Sequence, residues 1–565
     1  MAIMEFTTAR LLCETLKTMN VKRVYGIIGT SVLDFVDILY DYKHTIRYVT
    51  VRHEQVAVSM ADAESRVSGG FGVALVHAGP GFLNSLISLG IAYKDRVPLL
   101  LISGGVRRRL FKTNSWLEVD QESIAKPISK YYVRIDSPED ALNAISEAFI
   151  NLRKPPGGPV VLEVAEDVWN MKVKVKKDYF EELSKSSTYS KEVSEDSVLN
   201  VLEDLKRSER PLILACGEVA NPGIEDLLKE LAERIGAYVV TSGNGRGSCP
   251  EDHPKCLGRV GFGGGAVPAD YALKECDYLL VLGSEFDDIT TYAYTLLPKG
   301  NILVVSLDPL VDLRPTYYEV LRVDPYVFTH KLVEIAKKKE LRLSKPNWDI
   351  LVDEAKHRWE SILHDALTRS YERSVNPAKF FKKLDEALPR DKVITAGQGM
   401  HVLYTYDFMR VYSVRSFLAS TNLGAMGYAF PAALGAKLAM PHRKVVAVVG
   451  DGDFMMTLQD LETAVRENIP VNVIVVNDHS YRVLYFRQVV QKMGKIYGTL
   501  LGNPDFVKIA ESFRVKGIAV ENDNDIEYAI NTIVKMQEPL VIDLRINKDD
   551  LPPLNLEASL RMTEV

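Results

Sequence analysis

No apolar run in this 565-residue chain approaches the roughly 20 residues that a helix needs to cross a bilayer, so a membrane-spanning role is not expected. The N-terminus also lacks the charged-then-apolar pattern of a secretory leader. Cysteine is scarce. Cys13, Cys216, Cys249, Cys256 and Cys276 are odd in number and scattered, which excludes a disulfide scaffold and fits a reducing, cytoplasmic setting. Cys249, His253 and Cys256 lie close together, but no second cluster answers them, so they read as a loop rather than a zinc site. Neither sign of charge dominates: 69 Lys and Arg against 75 Asp and Glu leave a net −6. Nothing global therefore points to nucleic acid or an anionic membrane as partner.

What is present is length and alternation. A chain of this size suggests roughly three or four domains. In the first part, a helical pattern (Thr8–Asn20) leads to short apolar strands at Arg23–Ile28, Arg47–Val51, Gly72–Val76, Leu99–Ser103 and Val160–Val164. Strands alternating with helices predict a mostly parallel sheet covered on both faces. Residues 170–195 are charged and Ser-rich and read as a linker. A second α/β unit follows, with strands at Leu212–Ala215, Ala237–Thr241, Tyr278–Leu282 and Ile302–Ser306 and a helix at Ile224–Ile235. Its Gly-rich pieces, Gly243–Gly247 and Gly261–Gly265, lack dinucleotide spacing on a strand-to-helix turn and read as loops. The expectation is an α/β protein of three doubly wound parallel-sheet domains, at 1–180, 190–345 and 375–545, with a tail at 546–565.

The third domain holds the most informative stretch, Lys444–Asp478. The apolar run Val445–Val449 meets the turn Gly450-Asp451-Gly452; a helical segment follows, then the run Val471–Val476 ending at Asn477. A parallel βαβ unit puts Asp451 and Asn477 at the carboxyl ends of two strands, where open α/β sheets bind ligands. A carboxylate beside an amide oxygen makes a hard site suited to Mg2+, whose shell phosphate oxygens can complete. The stretch also has an echo. Shifting the chain by 372 positions lays Phe82, Ala92 and Pro98 on Phe454, Ala464 and Pro470 without a gap, and each copy carries a Gly-flanked turn. The first copy, Gly79-Pro80-Gly81, lacks the acid, so a duplicated domain would share its fold but not its ligand role.

Three features join that stretch: His53-Glu54-Gln55 at the end of a strand, Ala78-Gly79-Pro80-Gly81 with Asn84, and Asn422 to Gly427 before the Ala-rich Pro431–Gly435. In this order they resemble the thiamine-diphosphate-dependent enzymes, in the acetolactate synthase and pyruvate oxidase branch. The resemblance covers nearly the whole chain as pyrimidine-binding, central and diphosphate-binding domains. It implies that Asp451 and Asn477 hold Mg2+ by side chains and His479 by its backbone carbonyl. It also implies that Gly397, Gln398, Gly399, Gly424, Gly450, Gly452, Asp453, Ser480 and Tyr481 line the cofactor, and that Met426 bends it. Glu54 becomes the catalytic carboxyl group, hydrogen-bonded to the cofactor's pyrimidine ring for acid–base work. The family places Glu54 and the Asp451 site on different subunits, so a homodimer is the minimum and a homotetramer is common among relatives.

The departures from the family gather around the substrate. Leu117 stands where a Gln is usual, His77 where a small hydroxyl residue is usual, Phe486 where a Trp is usual, and Ile28 in place of a Pro beside Gly29-Thr30-Ser31. With Val483, the residues Gly29, Thr30, His77, Leu117 and Phe486 form the expected substrate pocket. FAD is a further cofactor of many relatives, but Glu285 and Ile289 sit where two Arg are usual in Gly283–Asp288 and beyond, which weakens an anion site. The expected activity is decarboxylation of a 2-oxo acid with carboligation to a second one. The alternatives are a 2-hydroxyacyl-CoA or oxalyl-CoA lyase, for which the basic Arg107–Arg109 and Lys112 could meet an anionic thioester, an FAD-dependent pyruvate oxidase, and a non-catalytic cofactor binder. The acceptor and the need for a regulatory subunit stay open.

Overall fold

A computed structural model describes residues 3–185, 192–261, 265–314 and 317–553. Part of the Ser-rich linker (186–191), residues 262–264 of the second Gly-rich piece and the tail from 554 lie outside the described residues.

Three six-stranded sheets, all parallel, organise the chain. The first runs, edge to edge, through Arg47–Thr50, Arg23–Gly26, Gly72–Val76, Leu99–Gly105, Pro159–Ala165 and Tyr131–Ile135. The third runs through Phe417–Ala419, Val393–Ala396, Val445–Gly450, Asn472–Asn477, Leu540–Arg545 and Lys516–Val520. With strands numbered along the chain within each sheet, both have the order 2-1-3-4-6-5. The repeat seen in the sequence is thus a repeat of topology. The central sheet runs Cys256–Arg259, Tyr238–Thr241, Pro211–Ala215, Tyr278–Leu282, Asn301–Val305 and Glu319–Leu321, order 3-2-1-4-5-6.

The inner strands are near-continuous runs of Val, Ile and Leu because both faces are covered; Val445–Gly450 and Asn472–Asn477 are buried along their whole length. Several of the strands that escaped the sequence reading lie at edges, though Val393–Ala396 and Leu540–Arg545 are inner. Tyr131–Ile135 is half-exposed at four of its five positions and Glu319–Leu321 has three residues, so neither carries a buried apolar run. The helices follow the ordinary rules. Ile224–Ile235 buries Ile224, Leu228, Leu231, Ala232 and Ile235 on one stripe and stops at Gly236, whose φ of 69° suits glycine.

Two expectations are corrected. Lys172–Lys176, read as linker, is a strand paired antiparallel with Ile3–Thr7. Its Lys-Val alternation buries Val173 and Val175 and leaves the lysines out, the period-2 signal of a half-buried strand. Cys249 and Cys256 are joined by a disulfide, their Cα atoms 5.9 Å apart. The loop between them doubles back, with the Cys256 N–H donating to the His253 carbonyl at 2.9 Å, which sequence spacing alone does not reveal. Cys13, Cys216 and Cys276 are buried thiols.

The chain divides into two compact units. One comprises residues up to 189 with 422–442 and 455–471; the other comprises 190–421, 443–454 and 472 onward, with the central and third sheets. In the first unit the helix Glu54–Ser68 packs on Ala429–Ala439 through small residues. A Cβ at Gly435 would stand 2.2 Å from the Met60 carbonyl oxygen. Buried Asp62 ties the pair, accepting from Tyr428 at 2.5 Å and from Arg66 at 2.7 Å.

Candidate active site

In open sheets of these orders, ligands bind beyond the strand carboxyl ends where neighbouring connections leave in opposite directions. In the third sheet that switch point lies between Val393–Ala396 and Val445–Gly450. Asp451 stands there, buried, at the start of the short helix Asp451–Phe454. Its Oδ1 accepts from the Gly452 N–H at 2.7 Å, and its Oδ2 from the His479 N–H and the Asn503 amide, both at 2.7 Å. Burial pushes the carboxyl above the usual range, opposed by these donors. Asn477 ends the adjacent strand. Its amide nitrogen donates to Asp543 at 2.8 Å, which turns its Oδ1 toward the same Asn503 amide, also at 2.8 Å. The two oxygens named from sequence therefore converge on one point. His479 adopts φ 59° as the chain turns away, with its carbonyl accepting from the Leu501 N–H at 2.7 Å.

Glycines open the space around this point. A Cβ at Gly397 would lie 1.7 Å from Asp453 Oδ2, one at Gly450 3.0 Å from the His401 ring, and one at Gly452 2.6 Å from Tyr481. Gly399 has φ 153°, and the Gln398 amide is anchored on the Ser420 carbonyl at 2.8 Å. Ser480 bonds Asp478 at 2.6 Å. His401 was not singled out from the sequence. It is buried, its Nε2 has no hydrogen-bond partner among the described residues, and burial lowers its pKa to about 3, so it is neutral. Its signal lay in the Gly-rich piece that precedes it, Gly397-Gln398-Gly399-Met400. Asn503 was missed because it sits 26 residues beyond Asn477 in a loop.

In the first unit the corresponding switch point lies between Arg23–Gly26 and Gly72–Val76. No acid stands on its turn. Instead Glu54, first residue of its helix and 8% exposed, reaches the turn from the side. Its Oε2 accepts from the Asn84 amide at 3.0 Å, and a Cβ at Gly81 would lie 3.2 Å from its Oε1 and 3.2 Å from the His77 Cβ. Leu117, with φ 71°, lays its carbonyl on Gly79, where a Cβ would come within 2.6 Å. The His77 ring packs on Gly29, whose Cβ would stand 2.2 Å from its Cγ. The structure thus gathers Glu54, Gly29, His77 and Leu117; Thr30 is exposed beside them. Met426 is half-buried in a segment whose Gly427 carbonyl accepts from the Gln55 amide at 3.5 Å. Gly424, at φ 69°, has open space around it. Val483 and Phe486 belong to the other unit, packed against the third-sheet core.

The donor sets can be tested against the implied groups. Among the described residues no cluster of three His, Cys, Asp or Glu could hold a metal. A cation here would need the mixed set present at Asp451: one carboxylate, one amide oxygen and a carbonyl, with ligand oxygens completing the shell. That set and the glycine cradle fit Mg2+ and a diphosphate. The central crevice does not fit FAD. Its donors are taken by the chain's own acids: Glu285 accepts from the Gly217 N–H at 3.0 Å, the Asn244 amide at 2.7 Å and the Ser242 hydroxyl. Glu218 accepts from Ser306 at 2.6 Å and the Leu307 N–H at 2.9 Å. Arg314 adds a cation, donating to the Ser284 carbonyl at 3.3 Å, but the two acids occupy the backbone and hydroxyl donors that a dinucleotide phosphate would need. Two cations of the basic loop are paired, Arg107 with Glu166 at 2.8 Å and Arg108 with Asp167 at 3.0 Å.

Comparison with known proteins gives three family matches along the chain. Residues 6–124 match the model described as thiamine pyrophosphate enzyme, N-terminal TPP binding domain; 198–317 match its central domain and 397–544 its C-terminal TPP binding domain. The chain is 30% identical over 559 residues to a "Probable acetolactate synthase large subunit" of Methanocaldococcus jannaschii, covering 97% of this chain and 93% of that protein. It is 30% identical to the "Acetolactate synthase" of Mycobacterium bovis, covering 97% and 89%, and 29% identical to the "Acetolactate synthase isozyme 3 large subunit" of Escherichia coli, covering 92% and 90%.

Proposed function

The chain belongs to the thiamine pyrophosphate-dependent enzymes of the acetolactate synthase family, and from that premise we propose that it decarboxylates a 2-oxo acid, pyruvate first, and joins the remainder to a second 2-oxo acid. The observation that carries this reading is the convergence of Asp451 Oδ2 and Asn477 Oδ1 on one point beside a glycine cradle. Asp451, Asn477 and the His479 carbonyl would hold Mg2+. Gly397, Gln398, Gly399, Gly450 and Gly452 would admit the diphosphate, with neutral His401 offering a ring nitrogen.

Bound thiamine diphosphate supplies a carbon nucleophile and an electron sink for decarboxylation. The chain's own residues supply position and proton control. Glu54, steadied through Oε2 by Asn84, keeps Oε1 free beside Gly81 to exchange a proton with the cofactor's ring nitrogen. Met426 is the proposed apolar wedge that keeps the cofactor bent. Glu54 of one copy would serve the Asp451 site of another, which makes a homodimer the working form. The relatives' names speak of large subunits, so a regulatory subunit is part of the proposal for this chain as well. Among the described residues no helix is long and apolar enough to cross a membrane; the three buried thiols support a proposed cytoplasmic location, to which the Cys249–Cys256 disulfide is the exception.

The test is incubation of the purified chain with thiamine diphosphate, Mg2+ and pyruvate. Acetolactate is the expected product. Carbon dioxide without a new carbon–carbon bond would make the chain a simple decarboxylase, and cleavage of a CoA thioester would make it a lyase of that class.

A further inference from the structure

We propose that His77 is a neutral, tautomer-fixed donor whose Nε2–H binds the 2-oxo oxygen of the substrate. The inference rests on the 2-oxo acid reading above and assigns a role within the same site.

The argument starts at Nδ1. Ser31 Oγ stands 2.7 Å from it, and the Ser31 backbone N–H points at it from 3.4 Å. A hydroxyl can accept or donate, but a backbone N–H can only donate. A proton on Nδ1 would face that N–H head on, so Nδ1 is an acceptor. With Nδ1 an acceptor, the same Oγ donates its hydrogen to Nδ1 while accepting from the Ala78 N–H at 3.0 Å, one bond on each side of the hydroxyl. Ser31 is itself fixed, since its carbonyl accepts from the Trp169 indole N–H at 2.8 Å. The imidazole proton therefore resides on Nε2.

Nε2 has no protein partner among the described residues, although the ring is half-buried. The ring leans on Gly29 and shares with Glu54 the space above Gly81. Burial lowers the His77 pKa, against the pull of Glu166 and Glu54, so the ring stays neutral at pH 7. A neutral N–H suits an oxygen that gains charge during reaction better than one already charged at the start. As a carbon nucleophile, of the kind that bound thiamine diphosphate would supply, forms a bond to the 2-oxo carbon, the C=O π pair moves onto oxygen, and that oxygen accepts the Nε2–H hydrogen bond. The imidazole keeps its proton.

The first test is independent of turnover. In 15N-histidine-labelled wild-type protein, with the His77→Gln variant identifying the resonance, His77 should show the Nε2–H tautomer at pH 7. An Nδ1–H or doubly protonated ring overturns the proposal. The second test divides kcat from KM. His77→Phe and His77→Asn, which place no donor at the Nε2 position, should lose on the order of a hundredfold in kcat with KM within about twofold. His77→Gln, whose amide nitrogen reaches that position, should recover to within about tenfold of wild type. A rise in KM with kcat unchanged, or equal losses in all three variants, overturns the role. If the wild-type enzyme turns over no 2-oxo acid, the functional reading fails while the tautomer result still stands on its own.

Discussion

The first and third sheets share a strand order and a turn at the same place, yet they handle charge in opposite ways. In the third, the turn carries its own acid: Asp451 is clasped by the N–H groups of Gly452 and His479 and by the Asn503 amide. In the first, the turn carries none, and Gly81 leaves room for Glu54 to arrive from the next helix. One carboxylate is surrounded by donors that favour its charged form, which suits a cation ligand. The other meets one amide and keeps an oxygen free, which suits proton exchange. The shared fold repeats the turn; a single position on it decides whether an acid stands there.

That contrast can be broken most severely at Asp451. Asp451→Ala removes an anion on which three donors converge, and should cost about 3–5 kcal/mol of Mg2+ and cofactor binding, roughly a thousandfold, read by calorimetric titration. Retained tight binding would place the metal elsewhere. Glu54→Gln should separate the two roles: cofactor affinity within a few-fold of wild type, turnover lower by about 10²–10⁴. Unchanged turnover would remove Glu54 from the chemistry and erase the contrast.

A smaller effect is expected at the packing that holds Glu54 in place. Gly435→Ala puts a methyl group against the Met60 carbonyl and should destabilise the fold by about 1–3 kcal/mol, read from urea midpoints. The central sheet sharpens the comparison further, since its crevice holds acids with neither role. Burial raises Glu218 to about 7 from an ordinary 4.5. A raised folded-state pKa means that the protonated form is favoured on folding, so its contribution is full below pH 4.5 and lost as pH rises through 7. Wild type should therefore lose stability relative to Glu218→Gln between pH 5 and 8, by about 2–3 kcal/mol. Equal pH profiles would show Glu218 ionised and solvated. Wild type should also fail to retain FAD, and a flavin absorbance surviving gel filtration would overturn the reading of that crevice.

How much was legible follows from range. Inner strands such as Val445–Gly450 announce themselves because burial on both faces demands an unbroken apolar run. The edge strand Tyr131–Ile135 does not, because half its surface meets water. Lys172–Lys176 shows that charge density can hide a strand when the alternation is not counted. At the site, Asp451 and Asn477 stood out because each ends a recognisable strand, whereas Glu54 entered only through the family resemblance, since an acid that opens a helix is ordinary. Asn503, His401 and Ser31 did not stand out, since their roles depend on which distant groups the fold brings beside them.

The sequence by itself determined the three parallel α/β sheets, the repeat, the family and which of the two turns carries an acid. Apolar periodicity and residue type are local properties, and local properties can be read in order. Only the tertiary structure decided that Asp451 and Asn477 share the Asn503 amide, that Glu285 and Glu218 fill the central crevice, that Cys249 meets Cys256, and that Ser31 holds His77 in one tautomer. Each of these is a contact set by loop paths and donor directions, which exist only once the strands have been placed side by side.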